Sequence, residues 1–237
     1  HPGAPPGYSV SPPGDINGDG FDDLTVGAPQ AGEDESVGGG DHGEAYVIFG
    51  KAAGFSTIDL GVLHLAEDAY DPTVGFMISA PESSQGAFDS DYDQLGFSVA
   101  GAGDVNDDGY DDLIVGARYF GGYFAPGAAV VLFGKAAGFG PIDLKNFAPE
   151  DGFLIEGAEG YAGWSVSGAG DVNGDGFADL VVGAPLAGAV GAAYVVFGRA
   201  EGFGTVDLAA LGTGGFVITG DAILDRAGLS VSSAGDF

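Results

Sequence analysis

The sequence predicts an all-β fold, a tandem array of four-stranded antiparallel blades, and three observations carry that expectation. One acidic loop occurs three times, as GDINGDGFDDL from Gly14, GDVNDDGYDDL from Gly103 and GDVNGDGFADL from Gly170. Each copy runs into a valine-rich stretch ending in Val-Gly-Ala, the length and composition of a buried strand. The copies recur 89 and 67 residues apart, a unit of about 65 residues with an insertion in the first.

Within the unit the elements follow in a fixed order. A Gly-aromatic-Ser-Val strand opens it, as GYSV from Gly7, GFSV from Gly96 and GWSV from Gly163. The acidic loop and the Val-Gly-Ala strand come next, then a strand ending in Phe-Gly, a GF…DL stretch, and a closing GF-hydrophobic-Ile strand. Four short strands per unit, separated by glycine-rich turns, describe a β-propeller-type blade, which packs its faces against its neighbours. The chain thus reads as one repeat region, 1–237, with repeats at about 7–95, 96–162 and 163–227 and a partial fourth at 228–237. That fourth opens with GLSVSSAGDF, so Leu229 to Ser233 are expected to form its first strand.

The loops have the chemistry of a metal site. Oxygen side chains fall at loop positions 1, 3, 5 and 9: Asp15, Asn17, Asp19 and Asp23; Asp104, Asn106, Asp108 and Asp112; Asp171, Asn173, Asp175 and Asp179. Position 6 is glycine each time, and the carbonyls of Phe21, Tyr110 and Phe177 at position 7 complete the candidate donors. Calcium takes six to eight hard oxygens in a sharply bent loop of this spacing. Two carboxylates 4 Å apart repel by about 4 kcal/mol at an effective dielectric near 20, so the loops oppose folding until a divalent cation neutralises them. An EF-hand would need a bidentate Glu at position 12 and a helix after it. Val26, Val115 and Val182 stand there instead, inside strands. About three calcium ions are expected.

With loop and strand motifs recurring together, the chain resembles the FG-GAP repeat of integrin α-subunit propellers and of bacterial surface proteins. The resemblance rests on Phe49-Gly50, Phe133-Gly134 and Phe197-Gly198, and on Gly27-Ala28-Pro29 and Gly183-Ala184-Pro185. It implies a calcium-bearing propeller, usually seven-bladed, used in extracellular recognition. The second unit departs from it with Gly116-Ala117-Arg118, a change expected to affect a turn more than the metal. Three units and a stub are too few for a ring of at least four blades. The expectation is therefore a fragment, part of a longer array, or a protomer completed by neighbours.

Composition narrows the function. The formal charge is −29 with only six Lys and Arg, which disfavours nucleic acid as a partner; three calcium ions would still leave about −23. No cysteine is present, excluding thiolate zinc sites and disulfides, and no apolar run of 18 residues exists to span a membrane. The chain begins at His1, which reads as a processed or excised segment. Low-affinity calcium modules work outside the cell, where calcium is about 0.1 to 1 mM, so secretion or surface display is expected.

Other residues yield less. Glu33, Asp34, Glu35 and Asp41 lie in one excursion of the first unit and Asp89, Asp91 and Asp93 in another. The second has the alternation of a further cation site but Gln94 in place of the position 6 glycine, so it reads as a solvated loop. Loops that outgrow a repeat are where binding specificity resides. Trp164 matches Tyr8, Phe97 and Leu229 and reads as blade core; His1, His42 and His64 share no spacing. Ser9, Ser98, Ser165 and Ser230 recur with the repeat, unlike a nucleophile. The leading reading is a calcium-stabilised extracellular binding or adhesion module, not an enzyme, for a protein or polysaccharide ligand. Alternatives are self-association through open blade edges into a filament or surface layer, and a non-catalytic region of a larger secreted enzyme.

Overall fold

In the computed structural model the described residues are 7–31, 42–54, 56–63, 70–80, 93–122, 125–136 and 138–233. The first unit forms β1 (Ser9–Ser11), β2 (Leu24–Ala28), β3 (Glu44–Ile48) and β4 (Gly75–Ser79). The second forms β5 (Leu95–Gly103), β6 (Asp112–Ala117), β7 (Ala128–Leu132), a two-residue β8 (Ile142–Asp143) and β9 (Gly152–Glu156). The third forms β10 (Ser165–Gly170), β11 (Asp179–Ala184), β12 (Ala192–Val196), β13 (Val206–Asp207) and β14 (Gly215–Thr219). Four strands of each unit pair in an antiparallel meander, as in propeller blades, and the expected all-β architecture holds. The registers repeat: Ser9 faces Gly27, Ser98 faces Gly116 and Ser165 faces Gly183. No closed ring forms among the described residues.

The first two sheets also borrow a strand from the next unit. β8 of the second unit adds parallel to β4 of the first, and β13 of the third adds parallel to β9 of the second. These two-residue strands are the Ile-Asp and Val-Asp of the GF…DL stretch. The aspartate then caps a 3-10 turn: Asp143 accepts from the Lys145 N–H (2.9 Å) and Asp207 from the Ala209 N–H (2.8 Å). The phenylalanine of the same stretch stacks on the neighbour's closing strand, Phe139 on Phe76 at 4.7 Å and Phe203 on Phe153 at 4.3 Å.

The two largest hydrophobic clusters consequently lie between units. Val47, Phe76 and Ile78 pack with Leu113, Val115 and Val130 at one junction, and Val131, Phe153 and Ile155 with Leu180, Val182 and Tyr194 at the other. Serine and glycine stitch the inner edge of each junction. Ser9, Ser98 and Ser165 donate through Oγ to the carbonyls of Gly96, Gly163 and Gly228, each at 2.9 Å. Those glycines have φ near +81°, and a Cβ on any of them would run into the carbonyl of Glu44, Ala128 or Ala192.

Three expectations need correction. Residues 229–233 form no strand, because the partner of an opening strand is the second strand of its own unit and none is present beside them. The segment is held instead through the Gly228 carbonyl and by its Ser233 N–H, which donates to Ser167 Oγ. Asp93 is no solvated residue: it is fully buried, and its carboxylate accepts from the Gly121 N–H. Trp164 lies across a junction rather than within a blade, its ring 5.3 Å from Phe97, which in turn lies 4.9 Å from Tyr8. Glu33, Asp34, Glu35, Asp41, Asp89, Asp91, His1 and His64 fall outside the described residues.

Candidate metal centre

Each acidic loop connects the first two strands of its unit and has the same internal hydrogen bonds. Position 1 accepts from the backbone of positions 5 and 6: Asp15 from Asp19 and Gly20, Asp104 from Asp108 and Gly109, Asp171 from Asp175 and Gly176, at 2.8–3.1 Å. The position 3 amide donates to the position 5 carboxylate, Asn17 to Asp19, Asn106 to Asp108 and Asn173 to Asp175. Position 5 in turn accepts from the N–H of Phe21, Tyr110 or Phe177. The glycine at position 6 has φ between +90° and +97°, which makes this tight turn possible. At position 4 the outer loops use Gly18 and Gly174, whereas the middle loop holds Asp107 in the same left-handed conformation (φ +59°).

Position 9 is different. Asp23, Asp112 and Asp179 are buried, and each carboxylate bridges two backbone N–H groups. One belongs to loop position 2: Ile16, Val105 or Val172. The other belongs to the glycine of Phe-Gly, Gly50, Gly134 or Gly198, at 2.8–2.9 Å. Loop and Phe-Gly thus form one device, which explains why the two motifs recur together. Burial pushes the Asp112 carboxyl up to about 8, against the two N–H donors that favour its ionised form, and Asp108 and Asp104 add repulsion. Asp23 is raised to about 6 on the same balance, and Asp179 is raised by burial as well.

The structure places all twelve side-chain candidates in three equivalent loops, yet it does not converge them. Among the described residues, no three Asp, Glu, His or Cys side chains gather as a metal group. Their oxygens face backbone N–H groups of the loop and of the Phe-Gly glycine instead. The donor chemistry still suits a hard cation: every candidate is an oxygen, three of four side chains are carboxylates, and one of the three is buried against neutral donors.

Adjacent loops are also tied together, a feature absent from the sequence reading. Asp111 Oδ2 accepts from the Asp15 N–H at 3.0 Å, and the Lys135 and Arg199 N–H groups donate to the carbonyls of Ile16 and Val105. Arg118 also does more than alter a turn. Its guanidinium lies 3.7 Å from the Phe97 ring centre, 4.5 Å from Tyr119 and 4.8 Å from Trp164, and its Nε donates to Gln94 at 2.7 Å. No spacing rule could have found the contacts of Asp111 with Asp15 or of Arg118 with Trp164, because each joins separate units.

A tandem array of propeller-type blades, each carrying an acidic loop latched to a Phe-Gly strand, defines the class of protein. The FG-GAP repeat family matches residues 6–48, 95–132 and 162–196. Integrin alpha-PS2 of Drosophila melanogaster is 32% identical over 182 residues, 75% of this chain and 11% of that protein. Integrin alpha-5 of Xenopus laevis is 31% identical over 190 residues, 75% of this chain and 14% of that protein. The phosphatidylinositol-glycan-specific phospholipase D of Bos taurus is 35% identical over 176 residues, 73% of this chain and 18% of that protein. The chain therefore spans less than a fifth of the length of these curated relatives. It is an FG-GAP repeat, integrin-like protein.

Proposed function

We propose that the chain is a calcium-stabilised extracellular binding or adhesion module, with one structural calcium in each acidic loop and no catalytic role. The observation that carries this reading is the buried position 9 aspartate, which has backbone N–H partners and two further carboxylates in its loop. The ligand set is Asp15, Asn17, Asp19 and Asp23 with the Phe21 carbonyl, and the corresponding residues of the other loops with the Tyr110 and Phe177 carbonyls. Bound calcium would supply the charge that the clustered carboxylates lack. The chain's own part is to hold the loop closed through the position 6 glycine and to latch position 9 to Phe-Gly. No helix among the described residues is long and apolar enough to cross a membrane.

Calorimetric titration of the chelated chain should give three sites and a raised melting temperature. At free calcium 100-fold above the dissociation constant, each independent site adds about 2.7 kcal/mol. A stoichiometry other than three, or an unchanged melting temperature, counts against the reading.

A second reading, self-assembly through open blade edges, draws on β14. Its Phe216 is 41% exposed, whereas the matching Phe76 and Phe153 are buried under a neighbouring unit. The similarity to a phospholipase D leaves a third, a non-catalytic region of a larger secreted enzyme.

A further inference from the structure

The seam between the first two acidic loops differs from the seam between the last two. Position 8 of the second loop is Asp111, whose carboxylate fills the space beside Gly14 and accepts from the N–H of Asp15, position 1 of the first loop, at 3.0 Å. Position 7 reaches across as well: the Tyr110 ring lies over Gly18, where a Cβ would collide with it. The third loop has Ala178 at position 8, with no acceptor in its side chain. There the Ala178 N–H donates to the Asp104 carbonyl at 3.0 Å instead, and position 4 of the loop it meets is Asp107 rather than glycine. One backbone link is common to both seams, Lys135 N–H to the Ile16 carbonyl and Arg199 N–H to the Val105 carbonyl, each at 2.9 Å. The Asp111 carboxylate and the Tyr110 ring are what the first seam adds to it.

We propose that Asp111 is a positioning residue for the calcium site of the first loop and couples that site to the second, so that calcium in either loop raises the affinity of the other. The inference rests on the calcium reading of the loops. Asp111 stands between two candidate ligands of its own loop, the Tyr110 carbonyl and Asp112. With the second loop closed on an ion both are fixed, and so is the carboxylate between them. That carboxylate holds the backbone of Asp15, itself a candidate ligand, whose side chain accepts from the N–H groups of Asp19 and Gly20. Part of the ordering needed to close the first loop is then already done, and its ion binds more tightly. The effect is mutual, because a coupling free energy has one value whichever ion arrives first. The third loop gives the second no side-chain acceptor at this position and serves as the internal control.

The test is a calcium titration of the whole labelled chain from chelator, followed by NMR at the amides of Gly20, Gly109 and Gly176, one in each loop. Asp111→Ala, which places in the second loop the residue the third already has, should weaken calcium at Gly20 by about fivefold or more and leave Gly176 within about twofold. Asp108→Ala, which removes a candidate ligand from the second loop, should weaken the first by about fivefold or more in the wild-type chain and by less than about twofold beside Asp111→Ala. Asp111→Asn keeps an acceptor for the Asp15 N–H without the charge and should restore the coupling. In chelator the Asp15 amide should exchange faster with solvent in Asp111→Ala than in wild type or Asp111→Asn. An unchanged first loop in Asp111→Ala, equal weakening of the first and third loops, or Asp111→Asn behaving as Asp111→Ala overturns the positioning role while all three glycines still respond to calcium. Glycines that do not respond to calcium in the wild-type chain overturn the calcium reading itself, and the coupling with it.

Discussion

The position 9 aspartate decides the local energetics of each repeat, because it is both a candidate calcium ligand and a bracket for two buried backbone N–H groups. Asp112 is the sharpest case, being fully buried between Val105 and Gly134. Asp112→Ala strands both donors, and each unsatisfied buried group costs about 1–3 kcal/mol. We expect the variant to lose about 2–5 kcal/mol of stability even in chelator, where calcium plays no part. Asp15→Ala, which frees only the exposed N–H groups of Asp19 and Gly20, should act mainly in the presence of calcium. Denaturant melts of both variants with and without calcium check this, and equal losses for the two in chelator would contradict the bracket.

Among elements, the junction strands carry the recurring small residues. Gly163 has φ +81°, and its Cα faces the Ala128 carbonyl so closely that a Cβ cannot be placed without moving backbone. Gly163→Ala should therefore destabilise by about 3 kcal/mol or more, while Ser98→Ala, which removes one hydrogen bond at the same seam, should lose about 0.5–1.5 kcal/mol. Thermal melts rank the two, and a milder effect for Gly163→Ala would show that the seam yields.

Much of this level was legible in the sequence: the strand order, the repeat period and the loop positions all follow from motifs that recur with composition intact. The added strands β8 and β13 were not, since two residues have no periodicity and their partner lies in the preceding unit. Nor was the latch to Phe-Gly, whose distance along the chain from position 9 changes from 27 to 22 to 19 residues. Asp93 escaped for a related reason: the i, i+2, i+4 spacing of Asp89, Asp91 and Asp93 reads as solvated, while the fold buries the last of them under Gly121. In the loops, residue identity and order were readable, but convergence of the oxygens was not, because spacing does not say which lone pairs the turn's own N–H groups engage.

At the scale of the molecule, β14 and the 228–233 segment lie together on the third unit. The self-assembly reading makes a definite claim about them. Deleting residues 228–237 should abolish oligomers or fibres while leaving the calcium stoichiometry at three. Sedimentation velocity with parallel calorimetry reads both, and unchanged self-association in the deletion removes that reading and leaves the monomeric binding module.

The borrowed outer strand has a consequence for how such proteins lengthen. Every repeat contains both halves of the seam: the serine and closing strand that receive a neighbour, and the glycine, phenylalanine and Ile-Asp or Val-Asp that are received. A tandem duplication therefore copies a fitted pair of surfaces along with the coding segment, and the newcomer meets contacts already tested at the existing joints. Growth by whole repeats requires no invention of complementarity. Mutations can then accumulate where the seam does not reach and let one blade acquire a feature its sisters lack.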